Sequence, residues 1–277
     1  MNDSEKFSRL KSLEQIVKRS TLKVLGENFS ISKNPLAISL KSSNRDIVTQ
    51  FDCQLEEEIT SQIQKFFPGE AILGEEASKQ KEAFKQLDSF WCIDPIDGTT
   101  NFSQGYPIYC HTVAFVQKLP AYSKHQATIG CIYDSTRHEY FEAAQDLGAW
   151  KNKQRLHVSQ KEKLENCVVI SGFAGTNDSS ERDLRFKKFK EIGTLARGIR
   201  RDGSAALNLA YTANKHFDVF WERGLQPWDI AAGTIICREA GAQVSDFSSD
   251  AVDLFEGEII TCGNKRLHKW LIKKLNQ

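Results

Sequence analysis

The 277-residue chain carries 37 Lys+Arg against 36 Asp+Glu, a formal charge of +1, and is 40% hydrophobic and 10% aromatic. That balance excludes a broadly basic nucleic-acid binder, whose phosphate contacts need a cationic excess, and the apolar content excludes a disordered tail protein. A folded chain of this size buries roughly 75% of the surface its unfolded form exposes, enough for a large core.

In chain order, Phe7, Leu10, Leu13, Ile16, Val17 and Val24 recur at three- and four-residue spacing and predict a helix. A loop rich in Ser, Lys and Asn is expected around residues 29–46. Residues 52–67 read as a second helix with Leu55, Ile59, Ile63 and Phe66 on one face, ended by Pro68-Gly69. Short apolar runs at 71–73, before Gly74-Glu75-Glu76, and at 90–93, before Asp94, predict strands, as do 112–116, 127–133, 138–144 and 168–171. Residues 150–153 suit a hairpin or loop. The basic run 185–190 could contact nucleic acid, but Phe186 and Phe189 three apart favour an amphipathic helix with a solvated basic face. Residues 204–213 and 229–240 read as helices, the second flanked by Pro227 and Gly241. Helices interspersed with many strands indicate a layered α/β or α+β architecture.

Seven cysteines are scattered without Cys-x-x-Cys spacing, so neither a zinc ribbon nor a dithiol redox site is written here. Most lie in apolar runs and are expected to fill core. Unpaired thiols suit a reducing compartment, and the first eleven residues are too charged for a secretory signal, so a cytoplasmic protein without a membrane span is expected. The six histidines show no His-x-x-x-His spacing and are expected to be surface residues or satisfied core residues.

The segment from Trp91 to Phe102 carries the chemistry. A buried-looking strand runs into Asp94-Pro95-Ile96-Asp97-Gly98-Thr99-Thr100. Pro95 holds Asp94 extended, Ile96 has a carbonyl that could turn inward, and Gly98 allows close backbone approach. Thr99-Thr100 can open a helix whose first N–H groups form an anion site. Hard oxygen ligands beside such a helix start suit Mg²⁺ and phosphate. A plain strand-to-helix turn with capping aspartates remains the competing reading. Against it, Glu75 follows another apparent strand, and Asp229 opens an apolar helix where the macrodipole favours an anion.

These strings, Gly-Glu-Glu at 74–76, Asp-Pro-Ile-Asp-Gly-Thr-Thr-Asn-Phe at 94–102 and Pro-Trp-Asp-Ile-Ala-Ala-Gly at 227–233, resemble the signatures of the inositol monophosphatase family. Lys41, the 46–52 segment with Asp46 and Asp52, residues 200–206 and residues 220–225 extend the resemblance, the last two toward its bacterial branch. The resemblance implies an αβαβα five-layer sandwich, a homodimer, and a Mg²⁺-dependent, lithium-sensitive phosphatase with two or three Mg²⁺ per active site. It further implies that Glu75, Asp94 and the Ile96 carbonyl hold one ion and that Asp94, Asp97 and Asp229 hold a second. Asp52 and Thr99 would orient the attacking water, with Glu75, a ligand of the first ion, acting beside them. The Gly98 and Thr99 N–H groups would bind phosphate, and Asp97, Ser204, Ala205 and Glu222 would face the polyol. A site drawing on residues 52 to 229 implies one domain over 1–277, with two sub-halves at about 1–150 and 151–277.

Three departures from the family pattern stand out: Ala77 after Gly-Glu-Glu, Asp202 beside the substrate segment, and Asn214-Lys215-His216 at a helix end that usually carries Gly. Asn also tolerates the left-handed conformation, so the turn can survive there. Among alternatives, haloacid-dehalogenase phosphatases need one residue between their paired acids and a late acidic pair, which this chain lacks. Walker and Rossmann glycine patterns are also missing. Fructose 1,6-bisphosphate, histidinol phosphate and 3′-phosphoadenosine 5′-phosphate remain possible substrates. A regulatory or RNA-associated protein on the same fold is the reading from a different class.

Overall fold

The computed structural model describes residues 1–27, 29, 38–40, 47–76, 81–119, 124–173, 178–248 and 251–277. Lys41, Asp46 and Ala77 lie outside the described residues.

Helix α1 (Asp3–Leu25) is capped by the Asn2 side chain, which accepts from the Glu5 N–H. Strands β1 (Ile38–Leu40) and β2 (Ile47–Thr49) pair antiparallel, so the stretch expected to be all loop contains a strand too short to leave a pattern. Helix α2 (Gln50–Phe66) follows at once, opened by a capping box of Thr49 and Asp52. Together α1 and α2 bury Leu10, Leu13, Val17, Leu55, Ile59 and Ile63. Two expected members of these faces lie outside: Phe7 is 67% exposed and Phe66 44%. Lys6, not Phe7, continues the Leu10–Leu13–Val17 stripe, its ammonium donating to the Gln145 carbonyl at 2.8 Å. Phe67 leaves the helix and stacks on Trp91, ring centroids 4.9 Å apart.

A seven-stranded sheet follows in chain order: β3 (Ile72–Gly74), β4 (Ser89–Asp97), β5 (Cys110–Leu119), β6 (Lys124–Asp134), β7 (Glu139–Ala144), β8 (Gly148–Lys151) and β9 (Gln154–Arg155). Only β3–β4 is parallel among these pairs. Short helices α3 (Lys81–Phe84) and α4 (Thr99–Ser103) flank β4. The expected hairpin at 150–153 is present, with Asn152 and Lys153 both at positive φ. The second sheet holds β10 (Val168–Ser171), β11 (Gly198–Arg200), β12 (Val219–Arg223), β13 (Gln243–Ser245) and β14 (Glu258–Cys262), in the order β11-β10-β12-β14-β13. The remaining helices are α5 (Ser179–Leu195), α6 (Ala205–Ala213), α7 (Pro227–Glu239) and α8 (Lys265–Leu275).

The side chains sort these elements into five layers. Alternation along β4 sends Trp91 and Ile93 toward α1 and α2, and Phe90 and Cys92 toward α6 and α7. The far side of α6 and α7 meets Ile170, Phe220 and Ile259 of the second sheet. That sheet's other face packs Val169, Val219 and Trp221 on Ile192 of α5 and Leu267 and Leu271 of α8. The order is αβαβα. Strands β4 to β6 are buried nearly end to end because helices cover both faces, as in the covered sheets of α/β proteins.

Two details depart from expectation. The positive φ at 214–216 falls on Lys215 (+63°), not on Asn214 (−98°). Asn214 still extends α6, its N–H donating to Ala210 O, so the reversal is deferred one residue. On α5 the basic face is not wholly solvated: Lys188 is buried, its ammonium reaching the Lys274 carbonyl at the end of α8, while Phe186 is half exposed and stacks on Phe173. Six cysteines are buried and Cys53 is exposed. No described helix is long and apolar enough to cross a membrane.

Helix α7 crosses β6 at Gly130, where a Cβ would lie 2.8 Å from Ile235 Cγ2 and 2.9 Å from Ala232 Cα. Gly130→Ala should therefore cost about 1–3 kcal/mol by overpacking, read as a lowered urea midpoint; an unchanged midpoint would show that the layers yield freely there.

Candidate functional site

Strand β4 runs on past its expected end and reaches Asp97. In a regular strand Asp94 and Asp97, three residues apart, would face opposite sides of the sheet. Here Asp94 pairs with Thr112 and Asp97 with Cys110, so three steps on β4 match two on β5. The extra residue is a β-bulge spanning Pro95 and Ile96, and it returns both carboxylates to the face that meets α6 and α7. Asp229 reaches the same place as the third residue of α7. Asp94, Asp97 and Asp229 each offer an oxygen to a group of atoms lying within 4.8 Å of one another. Glu75, just past β3, is hydrogen-bonded to the Asp94 side chain, its own N–H donating to the Ile93 carbonyl.

The site is electrostatically strained. Asp94 is 1% exposed, and its Oδ1 is buried without a hydrogen-bond partner. Burial pushes its carboxyl well above the usual carboxylate range, and Glu75, Asp97 and Asp229 push it further. Burial also raises Asp229, with Asp97 adding to the shift and the Gln226 N–H, which donates to Asp229 Oδ2 at 2.7 Å, opposing it. Asp97 is raised by burial, opposed by its donors: the Ser204 hydroxyl at 2.5 Å and the Ala206 N–H at 2.7 Å. An orphaned buried carboxylate oxygen among like charges is a poor arrangement for a bare protein. It fits a hard divalent cation, since the donor set is all oxygen.

The neighbouring loop supplies donors and an acceptor pair. Gly98 stands at φ +97°, and a Cβ there would come within 2.9 Å of the Ile108 carbonyl, so the turn from β4 into α4 requires glycine. The first N–H groups of α4 have no intrahelical acceptor. Thr99 Oγ1 lies 3.0 Å from the Ile96 carbonyl and 3.2 Å from Asp52 Oδ1. One hydroxyl proton can serve only one of these acceptors at a time. Asp52 is fully buried, and its Oδ2 accepts from the Thr49 N–H at 2.8 Å and the Thr49 hydroxyl at 2.5 Å.

The structure thus brings together Glu75, Asp94, Asp97 and Asp229, with Ile96, Gly98, Thr99 and Asp52 adjoining. Glu222, Ser204 and Ala205 line the cavity of about 190 Å³ that Asp97 and Asp229 floor. Ser204 caps α6 and commits its hydroxyl to Asp97. Two contributors went unread in the sequence. Thr49 steadies Asp52, and its signal was the capping-box spacing of a hydroxyl three residues before an acid. Asn101 donates from Nδ2 to the Ile108 and Asp202 carbonyls, both at 2.7 Å, tying α4 to the segment before α6; nothing in the local sequence announces that contact. Asp202 itself is half-buried, and burial raises its carboxyl against the pull of Arg200 and Arg137.

A sequence model described as the Inositol monophosphatase family matches residues 8–277. The chain is 35% identical to the inositol-1-monophosphatase of Synechocystis sp., over 97% of this chain and 90% of that one. It is 37% identical to a protein named Nus factor SuhB from Pseudomonas aeruginosa, over 82% of each. The crystal structure of the extragenic suppressor protein suhB from Bartonella henselae superposes with a TM-score of 0.82 at 31% identity, covering 98% of this chain and 99% of that one.

Proposed function

The chain belongs to the inositol monophosphatase family, and from that premise we propose that it is a Mg²⁺-dependent phosphomonoesterase that hydrolyses myo-inositol monophosphate. The observation that carries the reading is the convergence of Asp94, Asp97 and Asp229 on one side of a bulged strand end, with Glu75 against Asp94. Glu75, Asp94, Asp97, Asp229 and the Ile96 carbonyl would hold Mg²⁺. Bound there, Mg²⁺ supplies charge to the phosphate oxygens and acidifies a coordinated water.

The chain's own residues do the rest. With the Ile96 carbonyl engaged, the Thr99 proton turns to Asp52, which Thr49 already holds in place. Thr99 Oγ1 then accepts a hydrogen bond from a water molecule and so aims that water's oxygen at phosphorus. The N–H groups of Gly98 and Thr99 bind phosphate oxygens at the start of α4. Glu222 and the Ser204–Ala205 wall face the alcohol. Because β4, α4, α6 and α7 all contribute, both halves of the chain work as one unit, and we extend the proposal to a cytoplasmic homodimer.

The direct test is phosphate release from inositol 1-phosphate, fructose 1,6-bisphosphate, histidinol phosphate and 3′-phosphoadenosine 5′-phosphate, with and without Mg²⁺. Preference for inositol 1-phosphate with loss of turnover in chelator supports the reading. Preference for another phosphate keeps the chemistry and changes the substrate. No release from any of them favours the second reading, a regulatory or RNA-associated role, which the relative named Nus factor SuhB motivates.

Thr99→Ala should lower kcat by about 10–100-fold, as for partners just outside a metal's ligands, while the Mg²⁺ concentration for half-activity moves far less. Equal kcat in the variant would show that another group positions the water.

A further inference from the structure

The bulge in β4 decides which face Asp97 occupies, and one side chain is fastened to it. His111 stands opposite the bulge, as the single β5 residue between Thr112, the partner of Asp94, and Cys110, the partner of Asp97. Its ring is fully buried. His111 Nδ1 lies 2.5 Å from the Pro95 carbonyl and Nε2 lies 3.0 Å from Ser135 Oγ. A carbonyl can only accept, so Nδ1 carries the proton and Nε2 accepts from the Ser135 hydroxyl. Ser135 lies just past the end of β6, and Tyr109 is hydrogen-bonded to it.

We propose that His111 is a positioning residue for catalysis, locking the Pro95–Ile96 bulge so that Asp94, Asp97 and the Ile96 carbonyl all face the site. The proposal rests on the phosphatase reading above and concerns how this chain holds its ligand groups. A bulge leaves ladder groups unpaired, and Pro95 contributes no N–H with which to rebuild the ladder. The imidazole supplies the missing donor from across the strand pair. Without it, the Pro95 carbonyl loses the side-chain donor that reaches it across the strand pair. Relaxation toward regular pairing would turn Asp97 to the other face of the sheet, because a one-residue shift reverses every side chain. Asp97 would then lose Ser204 and Ala206, its anchors on α6. Neither the acidic motif nor histidine spacing discloses this role, since the His111 ring bonds a backbone carbonyl and Ser135. Its part is visible only in the register.

Two substitutions separate the two ring nitrogens. In His111→Asn the amide Nδ2 stands near the place of Nδ1 and can still donate to Pro95. In His111→Gln the amide reaches toward Ser135 and leaves the Pro95 carbonyl without its donor. Mg²⁺ binding to each purified protein is measured by titration calorimetry with MgCl₂ alone, and melting temperature and phosphate release are measured beside it. We expect His111→Gln to lose about 10–100-fold in Mg²⁺ affinity, the range for groups that orient ligands, and kcat to fall with it. His111→Asn should keep most of both. A purely structural role would instead make the two variants differ in melting temperature while their Mg²⁺ affinities stayed together.

In metal-free wild-type protein the Nδ1 proton of His111 should give a resonance protected from solvent exchange, a measurement that needs no variant to fold. Equal Mg²⁺ affinity in His111→Gln and wild type, or an Nδ1 lacking its proton, overturns the proposal while the phosphatase reading stands. Wild-type protein that neither binds Mg²⁺ nor releases phosphate overturns both.

Discussion

Asp94→Asn should lower kcat/KM by about 10²–10³-fold or more, the scale at which one preorganised electrostatic contact is lost, while making the metal-free protein more stable. The two effects share one cause. Asp94 sits at the centre of the acidic group, with Glu75 bonded to it on one side and Asp97 and Asp229 close by on the other. Its charge is a ligand when a cation is present and a liability when none is. The amide keeps the shape, removes one of the repelling charges, and brings an N–H₂ group whose natural acceptors are the surrounding carboxylates. A gain of about 1 kcal/mol would raise the melting temperature by roughly 2–4 °C in a chain of this length. The decisive comparison is melting with and without Mg²⁺. The wild type should gain markedly from the ion and the variant little. Near-normal turnover in Asp94→Asn, or a metal-free variant that melts below the wild type, would remove Asp94 from the centre of the site.

What the sequence disclosed follows from which patterns are local. The β4–α4 junction was readable because proline, glycine and two acids each impose a constraint on their own neighbours. Likewise α7 announced itself through Pro227 and Gly241, and its start at Pro227 puts Asp229 in the first turn. Periodicity found α1 and α2 but misplaced one edge of each stripe. Lys6 looks polar in a list of residues, yet it buries its stem in place of Phe7, and Phe67 packs only because the chain leaves the helix before it. The bulge was unreadable for a different reason. Asp-x-x-Asp is compatible with a turn or a strand, and only pairing with Cys110 and Thr112 shows that both acids share a face. Ser204 lines the cavity and is also bonded to Asp97 across 107 positions of chain, a contact no local pattern encodes.

The stability of the metal-free protein should fall as pH rises above the ordinary carboxylate range, and Mg²⁺ should reverse that trend. The native carboxyls of Asp94, Asp97 and Asp229 all lie above their unfolded values. Between the ordinary value near 3.9 and the raised ones, the native state binds more protons than the unfolded state. The derivative of unfolding free energy with pH is then negative, so stability present at low pH is lost as pH climbs through the raised values. Other groups add slopes of their own. His111, lowered to about 4, works in the opposite sense below its ordinary 6.5, and Glu142, raised to about 7, works in the same sense. Glu142 lies on β7, outside the acidic group, and its slope should cancel when Mg²⁺-loaded and metal-free melts are subtracted at each pH. What remains belongs to the site. The ion needs ionised ligands, so its affinity rises with pH, and at 100 times its dissociation constant it adds about 2.7 kcal/mol. The gap between the two melts should therefore widen as pH rises above the ordinary carboxylate range. A gap independent of pH would mean that these carboxyls bind the ion without releasing protons, and that their mutual repulsion is relieved by something other than Mg²⁺.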